Sequence, residues 1–421
     1  MPSFAVHTLG CKVNQYETEL ITNDLLNYGL ALVDFSDSAD VYIVNTCTVT
    51  ERSDHKCRQW IARAKRRNPE AVVAVTGCFA QRAKGQLTEI EGVSLVLGNE
   101  SKKELASQVC KILNIEKSAG RPAPRRQHFH TRALIKVQDG CNNYCSFCIV
   151  PYVRGEPRSR ALDEIASEIS ELSLSGVREF VLTGINLGKY GQDLEQGIEM
   201  TDLLRAVERT PQPARFRLSS IEVKAITPRL IEFLSKNGRF CRHLHIPLQS
   251  GDNDILRSMN RDYTVEKYFE IVGEIRRQIP SLALTTDVMV GFPGETSAQL
   301  ENTKSAVEKM GFGKIHVFKY SDREGTKAFG LGDKVSPEIK EKRSSELIEL
   351  GRRSAIAYLE ALVGKTVQVL VEKTDEAGRA WGIMDNYAKI GFPAPAGVRG
   401  ELLDVLVEQR EGLKLRGKIA G

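Results

Sequence analysis

The chain has 421 residues, a formal net charge of +5, 41% hydrophobic residues and 27% charged residues. This length predicts two or three domains, and the composition excludes a disordered, collagen-like or small disulfide-rich protein. No apolar stretch is long enough to cross a bilayer, and residues 1–9 lack the features of a secretory leader, so we expect a cytoplasmic protein with no membrane partner. Nine cysteines in such a protein indicate metal or redox chemistry before disulfides.

The first segment, residues 1–116, alternates strand-like and helix-like stretches. Short apolar runs predict strands at residues 4–9, 41–45 and 72–76. Asn14, followed three residues later by Glu17, predicts the start of a helix, and a second helix is predicted from about residue 50 to 67. This alternation is typical of a wound α/β domain with a parallel sheet.

Residues 117–132 contain two prolines and five basic residues, which predicts an exposed linker. Six further strands are predicted at residues 133–138, 179–183, 216–219, 243–246, 285–290 and 315–318. Each gap between them is long enough for one crossover helix. Residues 133–364 are therefore predicted to form a partial (βα)6 barrel of the TIM type, with a long trailing helix from Pro337 to about Leu362.

The last segment, residues 365–421, contains short β-like runs and no long helix. The five runs are residues 367–371, 380–384, 389–392, 402–407 and 413–418. Five short strands in so small a segment favour an OB-like β-barrel. The predicted fold is therefore α/β, with a wound N-terminal domain, a partial TIM-like barrel and a small C-terminal β-barrel.

The strongest local motif is a set of three cysteines, Cys141, Cys145 and Cys148, directly after the first predicted barrel strand. Thiolates at this spacing can ligate three irons of a 4Fe-4S cluster and leave the fourth iron open to a small molecule. Zinc is the alternative, but a structural zinc site needs four ligands. Only His128 and His130, upstream in the linker, are near enough in sequence to supply one.

A second set of cysteines, Cys11, Cys47 and Cys78, forms no local motif, but each follows a predicted strand of the first domain. In a parallel sheet all three would lie at the carboxyl edge, where ligands bind. Three thiolates converging there would suit a second cluster. The alternative is that they are three buried packing residues, since a free cysteine packs like a small hydrophobe.

Motifs along nearly the whole chain resemble those of the radical S-adenosylmethionine (SAM) methylthiotransferases. Phe147 before the last cysteine of the local motif is typical of radical SAM enzymes. The longer matching runs are TLGCKVNQYE (8–17), NTCTVT (45–50), TGCFAQ (76–81), VPYVRGEPRSR (150–160), HIPLQSG (245–251) and DVMVGFPGE (287–295). The C-terminal barrel resembles the RNA-binding TRAM domain of that family. The resemblance therefore favours a second cluster over three packing residues as the interpretation of the N-terminal cysteines.

The resemblance implies an enzyme that uses two 4Fe-4S clusters and SAM to insert a methylthio group into tRNA, with a reductant such as flavodoxin or ferredoxin as a further partner. The run LGCKVNQYE resembles the branch that acts on N6-threonylcarbamoyladenosine beside the anticodon. The isopentenyladenosine branch, which usually shows GCQMN, and the branch acting on a ribosomal-protein aspartate remain alternatives. An alternative of another class is a non-catalytic iron–sulfur protein that binds RNA or senses redox state.

The resemblance also implies roles for residues outside the cysteine sets. SAM would contact the loop after the second barrel strand and the loop after the fifth. The first holds Thr183, Gly184 and Asn186, and the second holds Gly291 and Glu295. Arginine can fork onto a carboxylate, so one of Arg154, Arg158 and Arg160 is expected to bind the threonyl carboxylate, with Gln249 as a further substrate contact.

The remaining cysteines, Cys57, Cys110 and Cys241, are predicted to be packing residues, with a reserve ligand role for Cys57 as the minority interpretation. The segment 52–67 is basic, with Asp54 as its one acid, and suits either RNA or plain solvated surface. From residue 365 onward nine Lys/Arg face eight Asp/Glu. RNA binding there would depend on stacking by residues such as Trp381, Tyr387 or Phe392.

Overall fold

The computed structural model describes residues 1–116, 128, 130–194, 197–210 and 214–420. These residues form three units in chain order, and the predicted α/β fold class is confirmed. Most of the predicted linker, residues 117–127 and 129, lies outside the described residues. Within the described ranges, no helix combines the length and the apolar character that crossing a membrane requires.

The first unit is a parallel sheet covered by helices on both faces. Its elements are β1 (Ser3–Thr8), α1 (Lys12–Asn27), β2 (Ala31–Leu32), β3 (Val41–Thr46), α2 (Glu51–Arg67), β4 (Val72–Gly77), α3 (Cys78–Arg82), α4 (Lys84–Thr88), β5 (Leu95–Leu97) and α5 (Leu105–Ile112). The strand order is β2-β1-β3-β4-β5, with every pair parallel. The central strands β3 and β4 are buried throughout, because α2 packs on one face and α1 and α5 on the other.

Helix α1 begins differently from the prediction. It starts at Lys12, with Cys11 in the N-cap position and no side-chain cap. Asn14 does not cap the helix. Its Nδ2 donates instead to the carbonyl oxygens of Leu9 at 2.8 Å and Thr46 at 2.9 Å. Asn14 therefore ties together the loops after β1 and β3, which carry two of the N-terminal cysteines.

The second unit is a partial barrel of parallel strands. Its elements are β6 (Ala133–Lys136), β7 (Gln138–Asp139), α6 (Val150–Arg154), β8 (Arg158–Ser159), α7 (Leu162–Leu174), β9 (Glu179–Thr183), α8 (Met200–Glu208), β10 (Arg215–Leu218), α9 (Pro228–Lys236), β11 (His243–His245), α10 (Asn253–Ser258), α11 (Val265–Gln278), β12 (Ala283–Val290), α12 (Ser297–Met310), β13 (Lys314–Lys319) and α13 (Pro337–Glu360). Two sheets, β10-β9-β6 and β11-β12-β13, are joined by parallel bridges between β10 and the β11 region. The six predicted strands are thus present in the predicted order.

The inner face of this barrel is polar. On β10, Phe216 and Leu218 pack in the core between strands and helices, while Arg215 and Arg217 point to the opposite face, as strand alternation requires. Both arginines pair with Glu179 of β9, and all three residues are buried. Charges buried inside the barrel are stable only when paired, which this triad provides.

The third unit is a closed five-stranded barrel, as predicted. Its strands are β14 (Thr366–Thr374), β15 (Arg379–Met384), β16 (Lys389–Pro393), β17 (Leu402–Glu411) and β18 (Lys414–Ile419), in the order β14-β15-β16-β18-β17. Arg215 donates to the carbonyl oxygens of Gln368 and Ile383, and Arg217 donates to those of Met384 and Asp385. The buried triad of the second unit therefore also holds the third unit in place.

Candidate functional site

The three N-terminal cysteines meet at the carboxyl edge of the first sheet, as their positions predict. Cys11 follows β1, Cys47 follows β3, and Cys78 is the first residue of α3 after β4. Gly10 has φ of +103°, and a Cβ there would lie 2.8 Å from the Cβ of Cys47, so only glycine permits this approach. Burial, with smaller contributions from the nearby thiols of Cys78 and Cys11, raises the pKa of Cys47 to about 11.

Cys78 is enclosed by residues of the second unit. Its side chain is buried and packs with Ile149 and Val153, because α6 lies against α3. Arg154 donates from Nε to its Sγ at 3.4 Å, and Asn99 donates from Nδ2 at 3.6 Å. Because α6 directly follows the local cysteine motif, the two cysteine sets lie on elements that pack on each other.

Arg154 corrects an expectation drawn from the sequence. Its side chain is only 1% exposed, and its guanidinium donates to Glu17 at 2.9 Å, Asp139 at 3.1 Å and Asn14 at 2.5 Å as well as to Cys78. Every nitrogen of the guanidinium therefore has a protein acceptor. Arg154 is not free to fork onto a substrate carboxylate, and the sequence-based role is wrong for this residue.

The carboxylate of Glu17 is surrounded by positively charged side chains. Burial alone would raise its pKa, but the positive charges of Lys102, Arg154 and Lys136 outweigh burial and hold the pKa well below its usual range. Lys102 approaches Glu17 at 2.6 Å and Lys136 at 3.0 Å. Glu17 is thus ionised, and it joins α1 to α6 of the second unit across their interface.

The local cysteine motif lies in the loop between β7 and α6. The hairpin of β7 and β8 closes its base, and the Cys141 N–H donates to the carbonyl oxygen of Gly155 at 2.9 Å. Gly140 has φ of +75°, and a Cβ there would lie 2.0 Å from the carbonyl oxygen of Glu156. Burial, with smaller contributions from the thiols of Cys145 and Cys141, raises the pKa of Cys148 to about 12.

N–H donors point at this cysteine set too. Arg261 donates from Nη1 to the Sγ of Cys145 at 3.2 Å, and its other terminal nitrogen pairs with Glu222. Asn186 donates from Nδ2 to the Sγ of Cys141 at 3.6 Å. N–H groups aimed at sulfur stabilise thiolates, the form in which cysteine ligates iron.

The chemistry of both sites fits iron–sulfur clusters. Each gathers three thiols whose charges influence one another, with an arginine and an amide donating to sulfur. Within the described ranges, no group of three His, Cys, Asp or Glu is close enough to hold a single metal ion. His128, the upstream residue that could supply a fourth zinc ligand, contacts Glu19 at 3.3 Å. A cluster spaces its ligands over separate irons and does not require that closeness.

The loop predicted to contact SAM after β9 adjoins the cysteine motif. Thr183 is buried, and its carbonyl oxygen accepts from the Val137 N–H at 2.9 Å. Gly184 follows directly, beside Gln138, whose Oε1 accepts from the Asn186 N–H at 2.8 Å. These residues are therefore brought together with Cys141, as the sequence predicts.

The second predicted SAM loop is arranged differently. The carboxylate of Glu295 is buried and accepts from the Gly291 N–H at 2.7 Å and from Arg343 at 2.5 Å. Its Oε2 is directed into its own turn and toward α13, and the side chain is only 1% exposed, so Glu295 shapes the loop and does not face a ligand. The expectation of a direct contact is corrected on this ground, while Gly291 remains at the end of β12.

Two of the predicted substrate arginines also differ in availability. Arg160 donates to Glu168 at 2.6 Å and to the carbonyl oxygen of Lys136 at 2.9 Å, so it is engaged within the protein. Arg158 is exposed and donates to the carbonyl oxygen of Arg154 at 3.3 Å. Among the described residues it has no carboxylate partner, which leaves its charge available.

A polar group of side chains lies inside the barrel. His245 approaches Asp287 at 3.2 Å, and its ring lies 5.7 Å from that of His316. Gln249 has φ of +65°, and its backbone pairs with β12 through the N–H, which donates to the Asp287 carbonyl oxygen at 2.9 Å. Burial lowers the pKa of His316, and the positive charges of Lys314 and, to a smaller extent, Lys12 lower it further. Helix α1, which begins within the run LGCKVNQYE, packs against β6 of the barrel.

Sequence reasoning missed a second buried ion network between the units. Arg323, after β13, donates to Asp54 at 2.7 Å and to the carbonyl oxygen of Thr48 at 2.7 Å. Arg82 donates to the same carboxylate at 3.0 Å. The one signal was Asp54 itself, the single acid in a basic helix. Arg261 and Asn99 carried no signal, because their cysteine partners are distant in sequence.

The remaining cysteines occupy packed positions. Cys57 is buried in α2 and donates from Sγ to the Cys47 carbonyl oxygen at 3.4 Å, so its sulfur lies beside the N-terminal site. Cys110 belongs to the core under α5. Cys241 is buried near Arg217, and burial raises its pKa to about 12.

Comparison with known proteins covers nearly the whole chain. Residues 3–98 match the model of uncharacterized protein family UPF0004, and residues 135–307 match that of the radical SAM superfamily. Threonylcarbamoyladenosine tRNA methylthiotransferase MtaB of Bacillus subtilis is 38% identical over 97% of this chain and 94% of its own. The MtaB of Thermotoga maritima is 35% identical over 93% of this chain and 92% of its own.

Other similarities extend this result. A tRNA-2-methylthio-N(6)-dimethylallyladenosine synthase of Moorella thermoacetica is 36% identical over 99% of this chain and 98% of its own. Among solved structures, the radical SAM methyltransferase TsrM of Kitasatospora setae aligns with a TM-score of 0.56 and 17% identity, over 78% of this chain and 77% of that one, which supports the fold. With two cysteine sets on adjoining elements and relatives of this extent, the chain belongs to the radical SAM methylthiotransferase family.

Proposed function

We propose that this enzyme converts N6-threonylcarbamoyladenosine next to the tRNA anticodon into its 2-methylthio derivative. Relatives named for that activity and a relative named for dimethylallyladenosine are similarly identical to the chain, so overall identity does not separate the two substrates. The run LGCKVNQYE supports the first. The observation that carries the proposal is the packing of α6 on α3, because it joins the two cysteine sets at one interface.

The six cysteines divide into two ligand sets in this proposal. Cys141, Cys145 and Cys148 hold the cluster that binds SAM, and Cys11, Cys47 and Cys78 hold the auxiliary cluster. When bound, these groups supply hydrogen-atom abstraction from the adenine ring and the methylthio group that replaces the hydrogen. The chain orients them through fixed N–H donors and excludes water with the buried residues around Cys78 and Cys148.

The methionine end of SAM lies against Thr183, Gly184 and Asn186 in this proposal. Asn186 offers an amide in place of a carboxylate, and that amide is already directed to Cys141. The loop therefore acts chiefly through its backbone and its contact with the ligand cysteine. Gly291 directly follows β12, and Glu295 keeps the turn there in shape.

The threonyl carboxylate requires a cation, and Arg158 is our candidate. Of the three predicted arginines it alone keeps its charge unpaired among the described residues. The positive charge of Lys12, which acts on His316 in the barrel, also suits an anionic substituent better than an apolar alkene. Gln249 adjoins β12 through backbone hydrogen bonds with Asp287 and Met289.

The C-terminal barrel is proposed to bind tRNA as a TRAM-like domain. In this proposal the chain has three domains, at residues 1–116, 133–364 and 365–421. Phe392 is buried, and the Tyr387 ring is packed between His243, at 4.8 Å, and Arg217, so neither is free to stack on a base as expected. Trp381 remains partly exposed, with Lys414 over its ring at 5.5 Å. A cytoplasmic reductant such as flavodoxin or ferredoxin would complete the reaction system.

Purified enzyme with reconstituted clusters tests the substrate. It should methylthiolate tRNA bearing threonylcarbamoyladenosine and leave isopentenyladenosine tRNA unchanged, as measured by mass spectrometry of the nucleosides. Arg158→Ala should lower methylthiolation at least tenfold, about 1.4 kcal/mol, while tRNA binding and 5′-deoxyadenosine formation persist. The matched control is Arg257→Ala, whose exposed pair lies on α10. Modification of isopentenyladenosine tRNA alone would refute the substrate assignment.

A further inference from the structure

In each cysteine set, one sulfur accepts a hydrogen bond from an arginine. Arg154 donates to the Sγ of Cys78 at 3.4 Å, and Arg261 donates to the Sγ of Cys145 at 3.2 Å. Both side chains are nearly inaccessible to solvent, with 1% and 5% exposed. A charged N–H···S contact in such an environment is strong, because little water screens it.

The contact at Cys78 is held rigidly by the surrounding ion pairs. Glu17 and Asp139 fix the guanidinium of Arg154 from two sides. Lys136 contacts both carboxylates, and Lys102 contacts Glu17. Three cations thus surround two carboxylates, which leaves a net positive charge buried beside the cysteine.

Buried positive charge and N–H···S hydrogen bonds both raise the reduction potential of an iron–sulfur cluster. Adding an electron to an iron–sulfur cluster increases the negative charge carried on its sulfurs. A nearby cation and an N–H donor stabilise that reduced form more than the oxidised form, so they raise the reduction potential. The effect is confined to the cluster whose thiolate is contacted.

We propose that Arg154 is a positioning residue that raises the reduction potential of the auxiliary cluster, and that Arg261 does the same for the cluster in the barrel. The inference rests on the proposed ligand sets. Arg154 belongs to α6 of the second unit, whereas Cys78 belongs to the first. The potential of the auxiliary cluster is therefore coupled to the docking of the two units.

Redox titration of single-cluster proteins tests this. In full-length protein carrying Cys141→Ala, Cys145→Ala and Cys148→Ala, dithionite delivers one electron to the auxiliary cluster, and electron paramagnetic resonance measures the reduced fraction at set potentials. Arg154→Gln should lower the ratio of reduced to oxidised cluster at least tenfold at the reference midpoint, a shift of about 59 mV for one electron. Arg154→Lys keeps the charge without the Nε–H and should shift less.

Two control variants test whether the shift in the auxiliary midpoint is specific to Arg154. Arg160→Gln removes a neighbouring arginine that contacts no cysteine, and Arg261→Gln removes the arginine of the other site. Neither should move the auxiliary midpoint, while Arg261→Gln should lower the midpoint of the barrel cluster in the complementary protein with Cys11, Cys47 and Cys78 replaced by alanine.

The outcomes separate the inference from the proposed function. Absence of a cluster, by iron and sulfide analysis of the reference protein, would overturn the ligand sets themselves. A cluster whose midpoint is unmoved by Arg154→Gln would overturn only the role of Arg154. Should Arg154→Gln not fold, Arg154→Lys decides, because it keeps a positive charge in the ion network and removes the Nε–H donor to Cys78. A negative shift supports the inference, and an unchanged midpoint refutes it.

Discussion

Replacing Arg217 with methionine tests how the C-terminal barrel is held on the second unit. The Arg217 side chain is 1% exposed, pairs with Glu179 at 2.8 Å, and donates to the carbonyl oxygens of Asp385 at 2.8 Å and Met384 at 3.0 Å. Removing one partner of a buried ion pair costs about 3–5 kcal/mol, because the other charge stays buried. Arg215 still pairs with Glu179 at 2.7 Å and offsets part of this, while two carbonyl groups lose a charged donor.

We therefore expect Arg217→Met to lower the free energy of unfolding by about 4 kcal/mol. The chain has two tryptophans, so in a Trp60→Phe background the fluorescence of Trp381, in β15, reports the C-terminal barrel during urea denaturation. Arg352→Met is the matched control, since its pair with Glu349 is half exposed and contributes about 0–1 kcal/mol. A loss in Arg217→Met no larger than in the control would refute the reasoning.

Two further predictions concern the first unit. Asp54→Asn removes the carboxylate from buried Arg323 and should lower the free energy of unfolding by about 3–5 kcal/mol, as measured by urea denaturation; an unchanged midpoint would contradict the network. Burial beside Trp60, with the nearby charge of Arg63, lowers the pKa of His7 to about 4. Below pH 6.5 the unfolded chain binds a proton that folded His7 does not, so stability falls between pH 6.5 and 4, by about 1 kcal/mol at pH 5 after allowance for solvent screening. His7→Phe should flatten this dependence, and an equally steep fall would refute the assignment.

The fold was largely predictable because its signals are local. Buried parallel strands are continuous apolar runs, as in β3 and β4, and their ends were predicted to within about two residues. The long helix α13 starts as predicted, with the Ser336 side chain accepting from the Ile339 N–H. The start of α1 was misread because Asn14 and Glu17 match a capping pattern but have tertiary partners.

The candidate site was predictable only in part. The edge position of Cys11, Cys47 and Cys78 follows from strand order, which the sequence pattern indicates. The role of Arg154 did not follow, because its partners Glu17 and Cys78 lie 137 and 76 residues away along the chain. Spacing shows which residues can share a loop or a helix face. It carries no information on which distant charge will neutralise a buried one.

The packing of α6 on α3 sets the earliest stage of translation at which the surroundings of Cys78 are complete. While the ribosome has translated only the first unit, Cys78 lacks the cover of Ile149, Val153 and Arg154. That cover exists only after a further 76 residues have been synthesised and have left the exit tunnel. We therefore expect cluster insertion at the N-terminal cysteines to follow translation of the second cysteine set, so that both sites mature on one chain at the same stage.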